Sequence, residues 1–70
     1  VTKDVKVAVF LYENEDGTYK ASFRVNGEFD AASLAMKFGG GGHVKAAGCT
    51  MQGALDEIES TLVDEIAARL

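Results

Sequence analysis

Proline is absent from these 70 residues, and cysteine occurs once. Without proline there is no proline-rich linker to separate units, and the length is below half of the roughly 150 residues of an average domain. A single small domain spanning 1–70 is therefore expected. The lone Cys49 excludes a disulfide framework, and no ligand cluster accompanies it to make a metal site. One free thiol fits a reducing compartment, so a cytoplasmic location is expected. Long apolar runs are also missing: the longest, around Val5 to Tyr12, is interrupted by Lys6 and falls far short of the roughly 20 residues of a membrane helix. No membrane association follows. Val1 to Asp4 show no basic stretch leading into an apolar one, so no signal peptide is read, and the missing initiator Met is read as the mark of a cut chain.

Positive charge is scarce as well. Seven Lys and Arg against eleven Asp and Glu give a net charge of −4, which argues against a domain that holds polyanions by bulk charge. The acids are unevenly placed, however. None lies between Ala31 and Leu55, where Lys37, His43 and Lys45 fall, so a phosphate can approach that stretch without repulsion. What the chain does have is 47% hydrophobic and 26% charged residues, a globular balance. Its core will be thin, because a domain of this size buries only about 60% of its unfolded surface.

Val5, Val7, Val9 and Leu11 alternate with Lys6, Ala8, Phe10 and Tyr12, which predicts a strand with one apolar side and one mixed polar and aromatic side. Asp16-Gly17 supplies a tight reversal. A second strand follows, with Tyr19, Ala21, Phe23 and Val25 on the apolar side and Lys20, Ser22 and Arg24 on the other. Asn26-Gly27 ends it. Asp30 is placed to cap a helix whose apolar positions are Ala31, Leu34, Ala35 and Phe38, and that helix stops at Gly39. Ala46 to Met51 suits a short third strand with Ala47, Cys49 and Met51 on one side. Leu55, Ile58, Leu62 and Ile66 predict a final amphipathic helix with its acids outward and Arg69 near its C-terminal end. The expected fold is α+β, in the order β-β-α-β-α: a small three-stranded mixed sheet with both helices on its apolar face. Val7, Val9, Leu11, Phe23, Leu34, Phe38, Leu55, Ile58, Leu62 and Ile66 are the expected core. Whether the third strand lies beside the first or the second is left open by the pattern.

Gly39-Gly40-Gly41-Gly42-His43-Val44-Lys45-Ala46-Ala47-Gly48 is the most informative stretch. Four glycines are poor material for a helix or strand, so a special loop is expected. Consecutive glycines let backbone N–H groups converge on an anion without obstruction by Cβ atoms, and His43 beside them can donate to a phosphate oxygen. The tract follows a helix and lacks a Gly-Lys-Ser/Thr ending, so it is neither a Walker loop nor a dinucleotide fingerprint. By itself a glycine run is more often a helix stop at Gly39 followed by a flexible turn, with His43 an ordinary surface residue. Ala46, Ala47 and Gly48 are small enough for a ligand or another surface to pack closely.

The run from Phe38 through the four glycines to His43, then Ala46-Ala47-Gly48, preceded by Ser22-Phe23-Arg24, resembles the C-terminal substrate-binding domain associated with DHH phosphoesterases. That family includes RecJ-like exonucleases, short-oligonucleotide hydrolases that also act on phosphoadenosine phosphate, and cyclic-dinucleotide phosphodiesterases. The resemblance implies a domain that binds the phosphate of a nucleotide or short single-stranded oligonucleotide through Arg24, Gly39, Gly40, Gly41, Gly42 and His43. It also implies a missing N-terminal domain that holds divalent metal, usually manganese, through an Asp-His-His motif. This chain would then be the C-terminal part of a two-domain hydrolase and inactive alone, with no catalytic or metal-binding residue of its own. The Ala-Ala-Gly ending points toward the oligonucleotide and phosphoadenosine-phosphate hydrolases. One departure from the family pattern is Val25, where a serine commonly follows the arginine. Two other classes stay open: a nucleic-acid-binding module like that at the end of alanyl-tRNA synthetases, and a structural or oligomerisation domain. Lys37 and Lys45 are read as solvent-facing, Cys49 as a buried packing residue, and the acids of the last helix as a solvated face.

Overall fold

Alternation along two strands decides the architecture. In the computed structural model, which describes residues 5–70 and so leaves the signal-peptide reading of Val1 to Asp4 outside it, β1 (Lys6–Glu13) and β2 (Tyr19–Asn26) pair antiparallel with Val9 opposite Phe23. The reversal between them is closed by the Gly17 N–H donating to the Asn14 carbonyl at 3.1 Å and by the Thr18 N–H donating to Asp16 Oδ1 at 3.0 Å. Helix α1 (Ala31–Lys37) starts as its sequence dictates: Asp30 Oδ1 accepts from the Ser33 N–H at 3.0 Å. Phe29, one residue before that cap, is buried together with Leu34, the arrangement of a hydrophobic staple.

After α1 the structure departs from the expected three strands. Gly41–Gly42 form a short strand, β3, which pairs antiparallel with β4 (Ala46–Met51), and β4 pairs antiparallel with β2. The sheet therefore has four strands in the order β1-β2-β4-β3, all antiparallel rather than mixed. The physical reason lies in the glycines. A helix crossover alone would return the chain parallel to β2, but β3 takes that direction and the turn after it reverses the chain once more. Glycine permits so short an edge strand because a Cβ on Gly42 would stand 2.6 Å from Ala47 Cα.

Both helices cover one face. Ala21, Phe23 and Val25 of β2, Ala47 and Cys49 of β4, Leu34 and Ala35 of α1, and Ile58 and Leu62 of α2 (Leu55–Arg69) form a single buried cluster. Val7, Val9, Leu11, Phe38 and Ile66 pack against it half-buried. Leu55 is the exception among the expected core residues, at 41% exposed, because it opens the helix a full turn before Ile58 reaches the sheet. Side chains at the far ends join the two helices: Glu65 accepts from Lys37 Nζ at 2.6 Å and Arg69 Nε at 2.8 Å, while Arg69 Nη1 donates to Ser33 Oγ at 3.0 Å. Among the described residues, no helix is long and apolar enough to cross a membrane.

Candidate functional site

The uncovered face of the sheet is laid out by its register. Ala8, Arg24 and Ala46 lie opposite one another on β1, β2 and β4. The next row is Phe10, Ser22, Gly48 and Gly41, and the one after it is Tyr12, Lys20 and Thr50. His43 extends the first row, because its N–H donates to the Ala46 carbonyl at 2.8 Å and its carbonyl accepts from the Ala46 N–H at 3.2 Å. His43 and Arg24 thus flank Ala46 on one face, with Cα atoms two strand spacings, or about 10 Å, apart. Both are exposed. The floor between them is a methyl group, and a tetrahedral anion can sit on it within reach of both side chains.

The hairpin that carries His43 is fixed from three directions. The Val44 carbonyl accepts from the Ala31 N–H at 2.8 Å, the Lys45 carbonyl accepts from the Val25 N–H at 2.9 Å, and Lys45 Nζ donates to the Gly27 carbonyl at 2.6 Å. Lys45 is therefore a strut of this corner, while Lys37 is engaged by Glu65. Arg24 needs no such strut, since it stands on the central run of β2 beside a shallow cavity of about 290 Å³ that Lys6, Ala8 and Asn26 also line.

The four glycines divide. The N–H groups of Gly39 and Gly40 donate to the Met36 and Ala35 carbonyls at 3.1 and 2.8 Å, the paired bonds of a Schellman motif that ends α1. They are engaged by the helix rather than converging on an anion. Gly39 has φ of +84°, Gly42 has φ of +144°, and a Cβ on Gly40 would meet the Gly48 carbonyl oxygen at 2.1 Å. The fold requires glycine at these three positions. Gly41 is different: a Cβ there would meet nothing within 4 Å, and its φ is not positive. It lies on the open face beside Gly48, at a strand position where glycine is unfavourable. Backbone that must be approached closely from outside has that signature.

Cys49 lies on the covered face, where burial pushes its thiol up, the opposite of what a nucleophile needs. Among the described residues, no group of three or more His, Cys, Asp or Glu side chains is placed to hold a metal ion. Sequence reasoning did not single out Lys6 and Lys20 as site residues. The period-two pattern places both on the face of Arg24, but it cannot tell which cations are paired.

A family model described as the DHHA1 domain matches residues 2–69. The chain is also 42% identical over 65 residues to the bifunctional oligoribonuclease and PAP phosphatase NrnA of Thermus thermophilus, a match that covers 91% of this chain but 20% of that protein. The chain thus spans about a fifth of the relative's length. Strand, glycine hairpin and helix pattern all fall inside the match, and the chain belongs to the DHHA1 domain family of DHH phosphoesterases.

Proposed function

We propose that this chain is the substrate-binding domain of a DHH-family phosphoesterase, the C-terminal part of a two-domain protein, and that Arg24 and His43 hold a nucleotide phosphate above Ala46. The reading is carried by one observation: the β2, β4 and β3 register brings Arg24 and His43 to either side of a small residue on an open face. Arg24 supplies a planar fork suited to two phosphate oxygens. His43 supplies an N–H donor from a hairpin whose backbone is already fixed, so little conformational freedom is lost on binding. Gly41 keeps the adjoining row free of side chains, while Gly39, Gly40 and Gly42 shape the loop that presents His43. The relative's two printed activities, on oligoribonucleotides and on PAP, are consistent with a nucleotide phosphate as the common ligand.

The residues of this chain bind and orient, and among the described residues no group of three or more His, Cys, Asp or Glu side chains is placed to hold a metal. By family resemblance an N-terminal domain outside these residues would hold divalent metal, manganese in the usual case, which would supply an activated water for hydrolysis. The 70-residue chain is expected to be inactive by itself. Titration with 5′-AMP followed by amide shifts tests the site. Shifts at Arg24, Gly41 and His43, weakened about ten-fold or more by Arg24→Ala through loss of ~1.4 kcal/mol, are expected. Shifts confined to the Glu13–Thr18 turn or to α2 overturn the assignment.

A further inference from the structure

The described cations divide into held and unheld. Lys37, Lys45 and Arg69 are each held by a carboxylate, carbonyl or hydroxyl of the protein. Among the described residues Lys6, Lys20 and Arg24 have no ion pair or side-chain hydrogen bond, and all three stand on the open face. Among the described residues no Asp or Glu occupies a strand position on that face, although the whole chain carries a net charge of −4. The same face exposes Phe10 at 45% and Tyr12 at 57%. Phe10 lies opposite Ser22, midway between Arg24 and Lys20 on the neighbouring strand, and Tyr12 lies opposite Lys20.

The geometry points to a stacking track: Phe10 and Tyr12 take the bases of a short single-stranded oligonucleotide whose backbone runs along β2 from Arg24 to Lys20. The proposal rests on the reading of Arg24 and His43 as the anchor of the first phosphate. Lys20 stands four residues further along the strand, about 13 Å away. It borders a separate hollow of about 360 Å³ lined also by Gly39, Gly40, Gly48, Cys49 and Thr50, where a second phosphate is accommodated. Ser22, Ala46 and Gly48 make a low floor between the two cations, and the rings of β1 form one wall. Positive charge along a groove with aromatic faces beside it is the arrangement that binds single strands without reading their sequence. An apolar protein partner would not account for three unpaired cations and no carboxylates on the same face, whereas a phosphodiester chain does.

The test compares 5′-AMP, pApA and pApApA titrated into the chain at low salt, with amide and aromatic ring shifts recorded. Affinity is expected to rise about ten-fold for each base added beyond the first, up to the length of the track, with ring protons of Phe10 and Tyr12 moving upfield. Phe10→Leu keeps the residue apolar and is expected to lower the ratio of pApA to AMP affinity about ten-fold, while Phe10→Trp retains it. Lys20→Ala, remote from the core, should lower the same ratio and provides a check independent of the rings. If AMP moves Arg24 and His43 but pApA binds no more tightly, the track is overturned and the phosphate reading stands. If oligonucleotide shifts the rings without Arg24 or His43, or if no nucleotide binds, both fail. A dimer in sedimentation that Phe10→Leu dissolves overturns the track in favour of a second copy.

Discussion

On one face of the sheet the two helices cover the apolar side chains of β2 and β4. Phe23, Leu34 and Leu62 are fully covered there, no polar side chain is buried among the described residues, and the charges at the margin form a cluster of Lys37, Glu65 and Arg69. The other face, built from alternate residues of the same strands, is shallow, floored by Ala46, Gly48 and Ser22, and studded with three unpaired cations. The difference separates residues that hold the fold from residues whose chemistry the fold does not use. Lys45 and Lys20 make the point: both are exposed lysines, but one ties the hairpin to Gly27 and the other has no partner among the described residues.

Substitutions on the covered side should do the most damage. Leu62→Ala removes a side chain that is 2% exposed, and a fully buried leucine truncated to alanine costs about 2–5 kcal/mol. Urea unfolding should show that loss directly. Gly40→Ala belongs to the same class although it lies in the glycine tract, because its Cβ would collide with the Gly48 carbonyl and with Cys49. Its cost should be about 3 kcal/mol, with loss of the β3 pairing visible in amide exchange.

Gly41→Ala then sharpens the contrast. Space is open around that position and its φ is ordinary, so stability should change by less than about 0.5 kcal/mol. Nucleotide affinity should nevertheless fall several-fold, since the methyl group projects on the open face beside Gly48. Unfolding curves and a 5′-AMP titration on one sample separate the two effects. A Gly41→Ala variant that binds as well as the parent removes this glycine from the site. One that unfolds like Gly40→Ala shows instead that the fold needs it.

Much of this layout was legible in the sequence because period-two alternation carries face information residue by residue. Arg24 is assigned to the outer side of β2 by parity alone, and Asp30, Gly39 and the Ala46–Met51 strand follow from capping and propensity. The four glycines were less legible. Composition treats them alike, whereas their roles depend on what stands across a strand gap, such as the Gly48 carbonyl over Gly40. Propensity also disfavours a glycine strand, so β3 was hidden, and with it the extra reversal that makes β4 antiparallel to β2. Phe29, Ala21, Ala31 and Ala35 were likewise absent from the expected core, since small residues and a pre-cap aromatic count as interior only once the helix is docked. The i,i+4 spacing of Glu65 and Arg69 is local, but the partners of Lys37 and Lys45 lie 28 and 18 residues away, so nothing local distinguishes Lys20 from Lys37.

The smallest effect expected concerns the charge cluster that joins the helices. The hydrogen bond from Lys37, and after it that from Arg69, holds the Glu65 carboxyl below its ordinary value. A carboxylate whose folded value is depressed contributes stability above its unfolded value, here about 4.3 for glutamate, and loses that contribution as pH falls through the folded value. Glu65→Gln should therefore lower the melting temperature slightly at pH 7, and the gap from the parent should close as pH is taken from 5 toward 3. Salt should narrow it too, because the group is near the surface and screened. A gap that is constant from pH 7 to 3 would mean that packing of the side chain, rather than its charge, links α1 to α2. The variant also tests the independence of the two faces. Glu65 has no part in the Arg24, Gly41 and His43 row, so 5′-AMP affinity at pH 7 should equal that of the parent, and a matched loss of affinity would show that the open face depends on the helix pairing beneath it.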